Sequence, residues 1–402
     1  MKYIEGGVCA AKGYKAAGIS CGIRKKGKKD LALIVSECRA ATAGVYTQNL
    51  VKGAPITVTQ KNLADGYARA IICNSGNANT CNNNGIEIAE GMCALVEKKL
   101  GIPAADVAVA STGVIGQKLS LEPIADGMAE LVSSLGNNSD DAATAIMTTD
   151  TVKKEVAVEF ELGGKTVKMG GIAKGSGMIH PNMATMLVFV TTDAAISPKM
   201  LQKALKWVIT DTFNMISVDR DTSTNDTMLV MANAMAQNSE IISEGEDFEA
   251  FKAALFEVSS MLCRCIAKDG EGASKLLECT VSGAKTKDDA RKIAKSVICS
   301  PLLKCAMFGS DANWGRVLCA IGYAGAQLDV NKVDVAFRSN AGEIAVCKNG
   351  GGLDFSEEKA KEILLEDKIE ILISLGDGSE SATAFGCDLT YDYVKINGDY
   401  RS

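Results

Sequence analysis

GGIAKGSGMIHPNMATMLVFVTT, residues 170–192, is the stretch on which the reading of this chain turns. Its first part is glycine-rich and polar. Its last part, MLVFVTT (186–192), is an uninterrupted apolar, β-branched run that reads as a buried strand. A loose approach therefore delivers Thr185 to the mouth of a core strand. Immediately upstream, VAVEFEL (156–162), a Gly163-Gly164 turn and KTVKMGGIAK (165–174) read as a β-hairpin. Downstream, Ser197-Pro198 opens a helix to about Phe213, with Leu201, Leu205, Val208 and Ile209 along one face. A second long helix covers 246–268, with Phe248, Phe251, Leu255, Val258, Leu262 and Ile266 at helical spacing.

The same alternation of short strands and amphipathic helices extends outward. LALIVS (31–36), PITVT (55–59), ARAIICN (68–74) and 106–110 read as strands, and 86–99 and 121–134 as helices. After Thr280 the pattern gives a helix at 285–297, strands near 332–337, 342–347, 369–374 and 382–387, and a helix at 356–366. The expectation is a mixed α/β (α+β) fold of stacked sheets flanked by helices, closed by a smaller C-terminal α+β unit.

Composition narrows the function. The 402 residues are 47% hydrophobic and 23% charged, enough for a real core in two or three domains. A net charge of −6 offers no basic field for nucleic acid. No apolar run reaches the ~20 residues that span a bilayer, and the first residues lack the apolar core of a signal peptide, so a cytoplasmic protein with no membrane partner is expected. Fourteen cysteines contain no C-x-x-C, and with a single histidine no metal site is expected. Cys73 in AIIC and Cys319 in VLCAI read as small packing residues.

The lone histidine, His180, also restricts nucleophilic catalysis, since any Ser-His or Cys-His pair would have to use it. Thr185 offers another route. If its hydroxyl attacks the preceding carbonyl and the resulting ester is hydrolysed, Thr185 becomes a new N-terminus. Its α-amine, with an ordinary pKa of about 7.7–8.0, then serves as base without histidine. On residue type alone the favoured reading of Thr185 is a plain β-branched residue starting a strand. The small-residue segments NSGNANT (74–80), STGVIG (111–116), SVDRDTSTNDT (217–227), GSDANWGR (309–316) and GDGSE (376–380) are candidates for site loops or for plain turns.

Taken in order, GGVCAAKGYKAAGI (6–19), STGVIG, IMTTDT (146–151), KGSGMIHPNMATML (174–187), SVDRDTSTNDT and KINGDYRS (395–402) resemble the ornithine acetyltransferases, or glutamate N-acetyltransferases, of the cyclic arginine pathway. The resemblance runs nearly end to end. It implies an αββα core and self-cleavage between Ala184 and Thr185, giving pieces 1–184 and 185–402; the change of pattern after Thr280 divides the second into 185–280 and 281–402. It implies Thr185 as nucleophile, an oxyanion hole of Thr112 and Gly113, and substrate contacts at Thr151, Lys174, Thr185, Glu271, Asn397 and Ser402. Substrates would be N2-acetyl-L-ornithine and L-glutamate, with no cofactor, acetyl-CoA as an alternative acetyl donor, and two copies of each piece assembled together. Asp219, Arg220, Asp221, Asn225, Asp311, Asn313 and Arg316 lie in segments that resemble family motifs and would either buttress the site or assist processing, or form plain surface ion pairs. Competing readings are a self-activating amidase or aminopeptidase of related fold, with water as acceptor, and a non-enzymatic amino-acid-binding protein. The latter would be expected to lack Thr185 or Thr112-Gly113. Neither G-x-G-x-x-G after a strand nor a P-loop motif occurs.

Overall fold

The computed structural model describes residues 1–24, 27–180 and 186–398. Ala184, Thr185 and Ser402, expected at the site, lie outside the described residues. Two compact units divide the chain: one takes 1–175, 186–210 and 222–262, the other 176–180, 211–221 and 263–398.

The first unit is built on a nine-stranded sheet in the order Lys2–Ile4, Lys154–Leu162, Lys165–Lys174, Leu187–Thr192, Thr227–Ala232, Leu31–Tyr46, Tyr67–Asn74 and Val107–Ser111, with Tyr14–Ile19 also on Leu31–Tyr46. The expected hairpin is present, closing at Leu162↔Lys165. Register across the next strands sets Lys174 beside Leu187 and Leu187 beside Thr227. Strand Leu31–Tyr46 is much longer than 31–36 and slips register between Val35 and Ala40. Its first half pairs with Tyr14–Ile19 and its second with Thr227–Ala232. Residues 7–14 bridge the two arms of the sheet: the Thr191 hydroxyl donates to the Val8 carbonyl at 2.7 Å, and the Tyr14 hydroxyl to the Thr192 carbonyl at 3.3 Å. One core cluster accordingly draws Ile34, Ile71 and Ala108 from one arm and Ile172, Phe189 and Leu229 from the other. A second cluster packs the outer face of Tyr67–Asn74 and Val107–Ser111 against helices Gly85–Leu100 and Glu122–Ser133.

PITVT is a helix, not a strand: Ala54–Asn62 begins with Gly53 as N-cap and Pro55 in its first turn. The β-branched run favours a strand by local propensity, but burial overrides it. Ile56 and Val58 enter the core, and the Thr59 hydroxyl exchanges hydrogen bonds with the Val109 N–H and C=O, both at 2.7 Å.

The second unit has a seven-stranded sheet ordered Gly351–Gly352, Gly342–Lys348, Asp334–Ser339, Lys368–Ser374, Leu276–Ala284, Glu380–Cys387 and Ile216–Ser217. The four expected strands are there, joined by Leu276–Ala284, within which residue 280 lies. Helix Lys287–Ile298 covers them; the Thr286 hydroxyl caps it by accepting from Asp289 N–H at 3.1 Å, and Asp288 and Asp289 sit in the first turn, where the helix dipole favours them. Helices Pro301–Phe308 and Trp314–Gly322, unannounced by periodicity, complete the layer. Cys319 corrects its sequence reading: on the latter helix its side chain is exposed, whereas Cys73 is buried as expected. All fourteen cysteines are free thiols. Among the described residues no helix is long and apolar enough to cross a membrane.

Candidate active site

Strands Tyr67–Asn74 and Val107–Ser111 run parallel and end together at Asn74↔Ser111, so the two small-residue segments that follow them emerge side by side. Asn74 knots them. Its Nδ2 donates to Ser111 Oγ at 2.7 Å, its Oδ1 accepts from the N–H groups of Gly76 and Asn77, and its carbonyl accepts the Thr112 N–H at 2.9 Å. Gly113 has φ +127°, and a Cβ there would meet Gly76 C at 2.7 Å and Asn77 N at 2.8 Å. Only glycine satisfies both constraints. From the far side Asn225 braces the turn, donating through Nδ2 to the carbonyls of Ala78 and Ser111 and accepting from the Thr80 hydroxyl at 2.7 Å. The half-buried Thr112 hydroxyl and the Gly113 N–H have no hydrogen-bond partner among the described residues. Two donors held on a rigid turn with their bonding capacity unspent suit a developing negative charge.

Lys174, 8% exposed, ends its strand in the same unit. Its charge reaches Cys73 and pulls down two buried acids whose settings nonetheless leave them at opposite ends. Asp150 accepts from Lys154 Nζ at 2.6 Å, Gly175 N–H at 2.7 Å and Thr148 N–H at 2.9 Å. Burial pushes the Asp150 carboxyl up, but the Lys174 and Lys154 ammoniums and the Gly175 N–H outweigh it and hold the group at about 2. Asp226, 2% exposed, has an Oδ2 with no hydrogen-bond partner among the described residues. There burial dominates and lifts the carboxyl well above the usual range against the pull of Lys174. Thr151, next to Asp150, is exposed.

The second unit brings two other expected residues together. Glu271, 8% exposed, follows helix Glu246–Lys268 and accepts from Asn397 Nδ2 at 2.8 Å. Asn397 is exposed near the end of helix Tyr391–Gly398. Asp219 accepts the N–H groups of Met178, Ile179 and Asp221, and burial raises its carboxyl. His180 Nδ1 lies 3.0 Å from Ser217 Oγ; burial, with the Lys295 and Arg220 charges, lowers it to about 4, so the ring is neutral near pH 7. Asp311, Asn313 and Arg316 serve helix Trp314–Gly322: Asn313 caps it, donates to Asp311 at 3.0 Å, and Arg316 donates to the Leu302 carbonyl at 2.6 Å.

Asn74, Asp150 and Asp226 escaped the sequence reading as individuals, although their segments were flagged. The usable signal was a polar residue directly flanking a fully apolar strand, as in AIICN (70–74) and NDTMLVMA (225–232).

Fold and site together define a mixed α/β protein with two helix-flanked sheets, the first unit carrying both a donor-bearing, glycine-locked turn and a buried lysine. The sequence pattern of the ArgJ family matches residues 15–402, and the chain belongs to that family. It is 51% identical to the "Arginine biosynthesis bifunctional protein ArgJ" of Caldanaerobacter subterraneus subsp. tengcongensis, with all of both chains covered. It is 48% identical to the protein of the same name from Bacillus subtilis, over 99% of this chain and 97% of that one. A solved structure of arginine biosynthesis bifunctional protein argJ from Bacillus halodurans is 45% identical, with a TM-score of 0.50, covering 53% of this chain and 98% of that one.

Proposed function

We propose that this chain is an acetyltransferase of arginine biosynthesis that moves the acetyl group of N2-acetyl-L-ornithine to L-glutamate through an ester on Thr185. The observation that carries the reading is the Thr112–Gly113 turn, whose two open donors are fixed by a knot of backbone and carboxamide bonds. It stands in a chain whose full-length relatives are named for arginine biosynthesis. Processing comes first. The Thr185 hydroxyl attacks the Ala184 carbonyl carbon, the C–N bond breaks as nitrogen takes the proton, and water hydrolyses the ester to leave Thr185 as a free N-terminus. The C-terminal piece is then slightly over half of the chain, as is the solved Bacillus halodurans chain.

In transfer, the Thr185 oxygen attacks the acetyl carbonyl carbon while its own α-amine takes the hydroxyl proton. Thr112 Oγ–H and Gly113 N–H receive the oxyanion, such a donor lowering the barrier by roughly 2.7–4 kcal/mol. Ornithine leaves with the proton, and the glutamate amine attacks the ester to release N-acetylglutamate and restore the hydroxyl. Lys174 meets a substrate carboxylate and Glu271 an ammonium, with Thr151, Asn397 and Ser402 completing the contacts. Acetyl-CoA enters as a second donor, in keeping with the word bifunctional in the relatives' names. No cofactor is used. Pieces 1–184 and 185–402, the latter as 185–280 and 281–402, stay associated, two of each, in the cytoplasm, where exposed thiols such as Cys38 and Cys305 remain reduced.

The test is to combine purified protein with glutamate and either acetylornithine or acetyl-CoA and to measure acetylglutamate. Parallel double-reciprocal lines with acetylornithine are expected. Acetate release without acetylglutamate would replace the transferase with a hydrolase.

A further inference from the structure

Residues 176–180 belong to the N-terminal piece, yet the contacts that hold them in the second unit come from the C-terminal piece. The Glu271 N–H donates to the Ser176 carbonyl at 2.9 Å, and the Val218 N–H to the Ile179 carbonyl at 2.7 Å. The Asp219 carboxylate captures two successive amides, Met178 N–H at 2.7 Å and Ile179 N–H at 2.9 Å. Ser217 holds His180. Ile179 is 1% exposed, and Met178 adopts a left-handed φ of +51°, a conformation a non-glycine residue keeps only where its surroundings enforce it. Residues 217–219 thus fix 178–180 one by one, and Glu271 itself holds Ser176, so Gly177 is fastened on both sides.

Its position matters because of Gly177. A methyl group added there would fall inside the van der Waals envelope of the Glu271 carboxylate. Glu271 spends Oε2 on Asn397, while Oε1 has no partner among the described residues. Gly177 is therefore packed against the carboxylate whose open oxygen is the one available to an ammonium. Asp219 also lies near Tyr393, on the helix that carries Asn397.

We propose that segment 176–180 is a built wall of the ammonium pocket, and that Asp219 is the positioning residue that sets acetylornithine affinity by holding Gly177 against Glu271. This deepens the functional reading above and rests on it. Acetylornithine carries one ammonium, so its capture reports the setting of Glu271 directly, whereas the Thr185 chemistry is left intact.

The experiment uses full-length protein carrying Gly177→Ala, Asp219→Asn, Glu271→Gln, or Gly177→Ala with Glu271→Gln. Each is checked for thermal unfolding and fragment masses, then assayed with acetylornithine at saturating glutamate, and ornithine binding is measured by calorimetry. Gly177→Ala and Asp219→Asn should raise KM for acetylornithine ~tenfold or more with kcat within ~threefold, and weaken ornithine binding in parallel. In the Glu271→Gln background Gly177→Ala should add little, because both act on one contact. If Asp219→Asn does not fold, the Gly177→Ala pair decides alone. Unchanged KM in Gly177→Ala, or a full rise that persists without the Glu271 carboxylate, overturns the proposal. A wild type that makes no acetylglutamate would remove the functional reading instead, and the ornithine binding of wild type against Gly177→Ala would still decide whether this wall shapes the pocket.

Discussion

The Thr112–Gly113 turn and the Glu271–Asn397 pair are built by opposite means. The turn is backbone architecture: a strand end, a left-handed glycine pressed against Gly76, and asparagines that tie down the neighbouring Ser111 and Thr112 backbone. The pair is side-chain architecture, a carboxylate met by one carboxamide from an exposed helix end. Rigid donors cost no reorganisation when charge appears in a transition state, which suits chemistry. A carboxylate on an adjustable side chain suits recognition, where ground state and transition state are bound alike. Substitutions in the two places should therefore separate kcat from KM.

The largest effect is expected at Gly113→Ala, where the new Cβ collides with Gly76 and Asn77 backbone. Turnover should fall by ~10²–10³ or more, self-cleavage should slow, and fragment analysis with initial rates would record both. Thr112→Ala removes one donor without a collision and should lower kcat ~10²–10³-fold with little change in KM. A purely raised KM in either would move the turn from chemistry to binding. Glu271→Gln should do the reverse, raising KM for acetylornithine ~10–100-fold with kcat nearly kept, from the loss of one charge-assisted contact.

Much of this contrast was legible in advance on one side and not on the other. Helix 246–268 is read to the residue because its length, period and buried face agree. The STG segment is visible as small residues after an apolar strand. What cannot be read is why Gly113 must be glycine, since the obstructing atoms belong to Gly76, and why Asn225 matters, since its partners Ala78, Thr80 and Ser111 lie more than a hundred residues away. PITVT fails for a related reason. Local β-propensity is real, but the partner of Thr59 is Val109, a contact only the folded chain supplies. The change of pattern after Thr280 falls inside strand Leu276–Ala284, whose Glu278 meets Arg264 at 2.9 Å and whose Thr280 meets Thr383 at 3.0 Å across the sheet, partners only the folded chain supplies.

The two acids around Lys174 sharpen the comparison through pH. Asp150 is held at about 2, below its ordinary 3.8. Its contribution, on the order of 2 kcal/mol, is present above that ordinary value and fades as pH falls toward 2. Asp226 is raised, so its sign is opposite: it favours the folded state most at low pH and loses that contribution as pH climbs past the ordinary carboxylate value. Asp150→Asn should lower unfolding stability at pH 7, the deficit shrinking in acid, while Asp226→Asn should leave stability at pH 7 unchanged or higher. Denaturant melts from pH 3 to pH 8 check both, and matching losses at pH 7 would show that the two acids do not differ as described. The smallest effect belongs to the exposed end of the recognition pair. Asn397→Ala should raise acetylornithine KM by ~tenfold or less, since a single hydrogen bond to the Glu271 carboxylate is lost while its charge is kept.

The central claim is the acetyl ester on Thr185, formed over the Thr112–Gly113 turn. Wild-type protein is incubated with acetylornithine alone, denatured in acid, and its fragments weighed. The account predicts two fragments, the C-terminal one beginning TMLVFV and heavier by one acetyl group, with the increment absent in Thr112→Ala at short times and removed from wild type by added glutamate. An unmodified C-terminal fragment in protein that nonetheless converts glutamate to acetylglutamate, or full activity in an uncleaved chain, would contradict it.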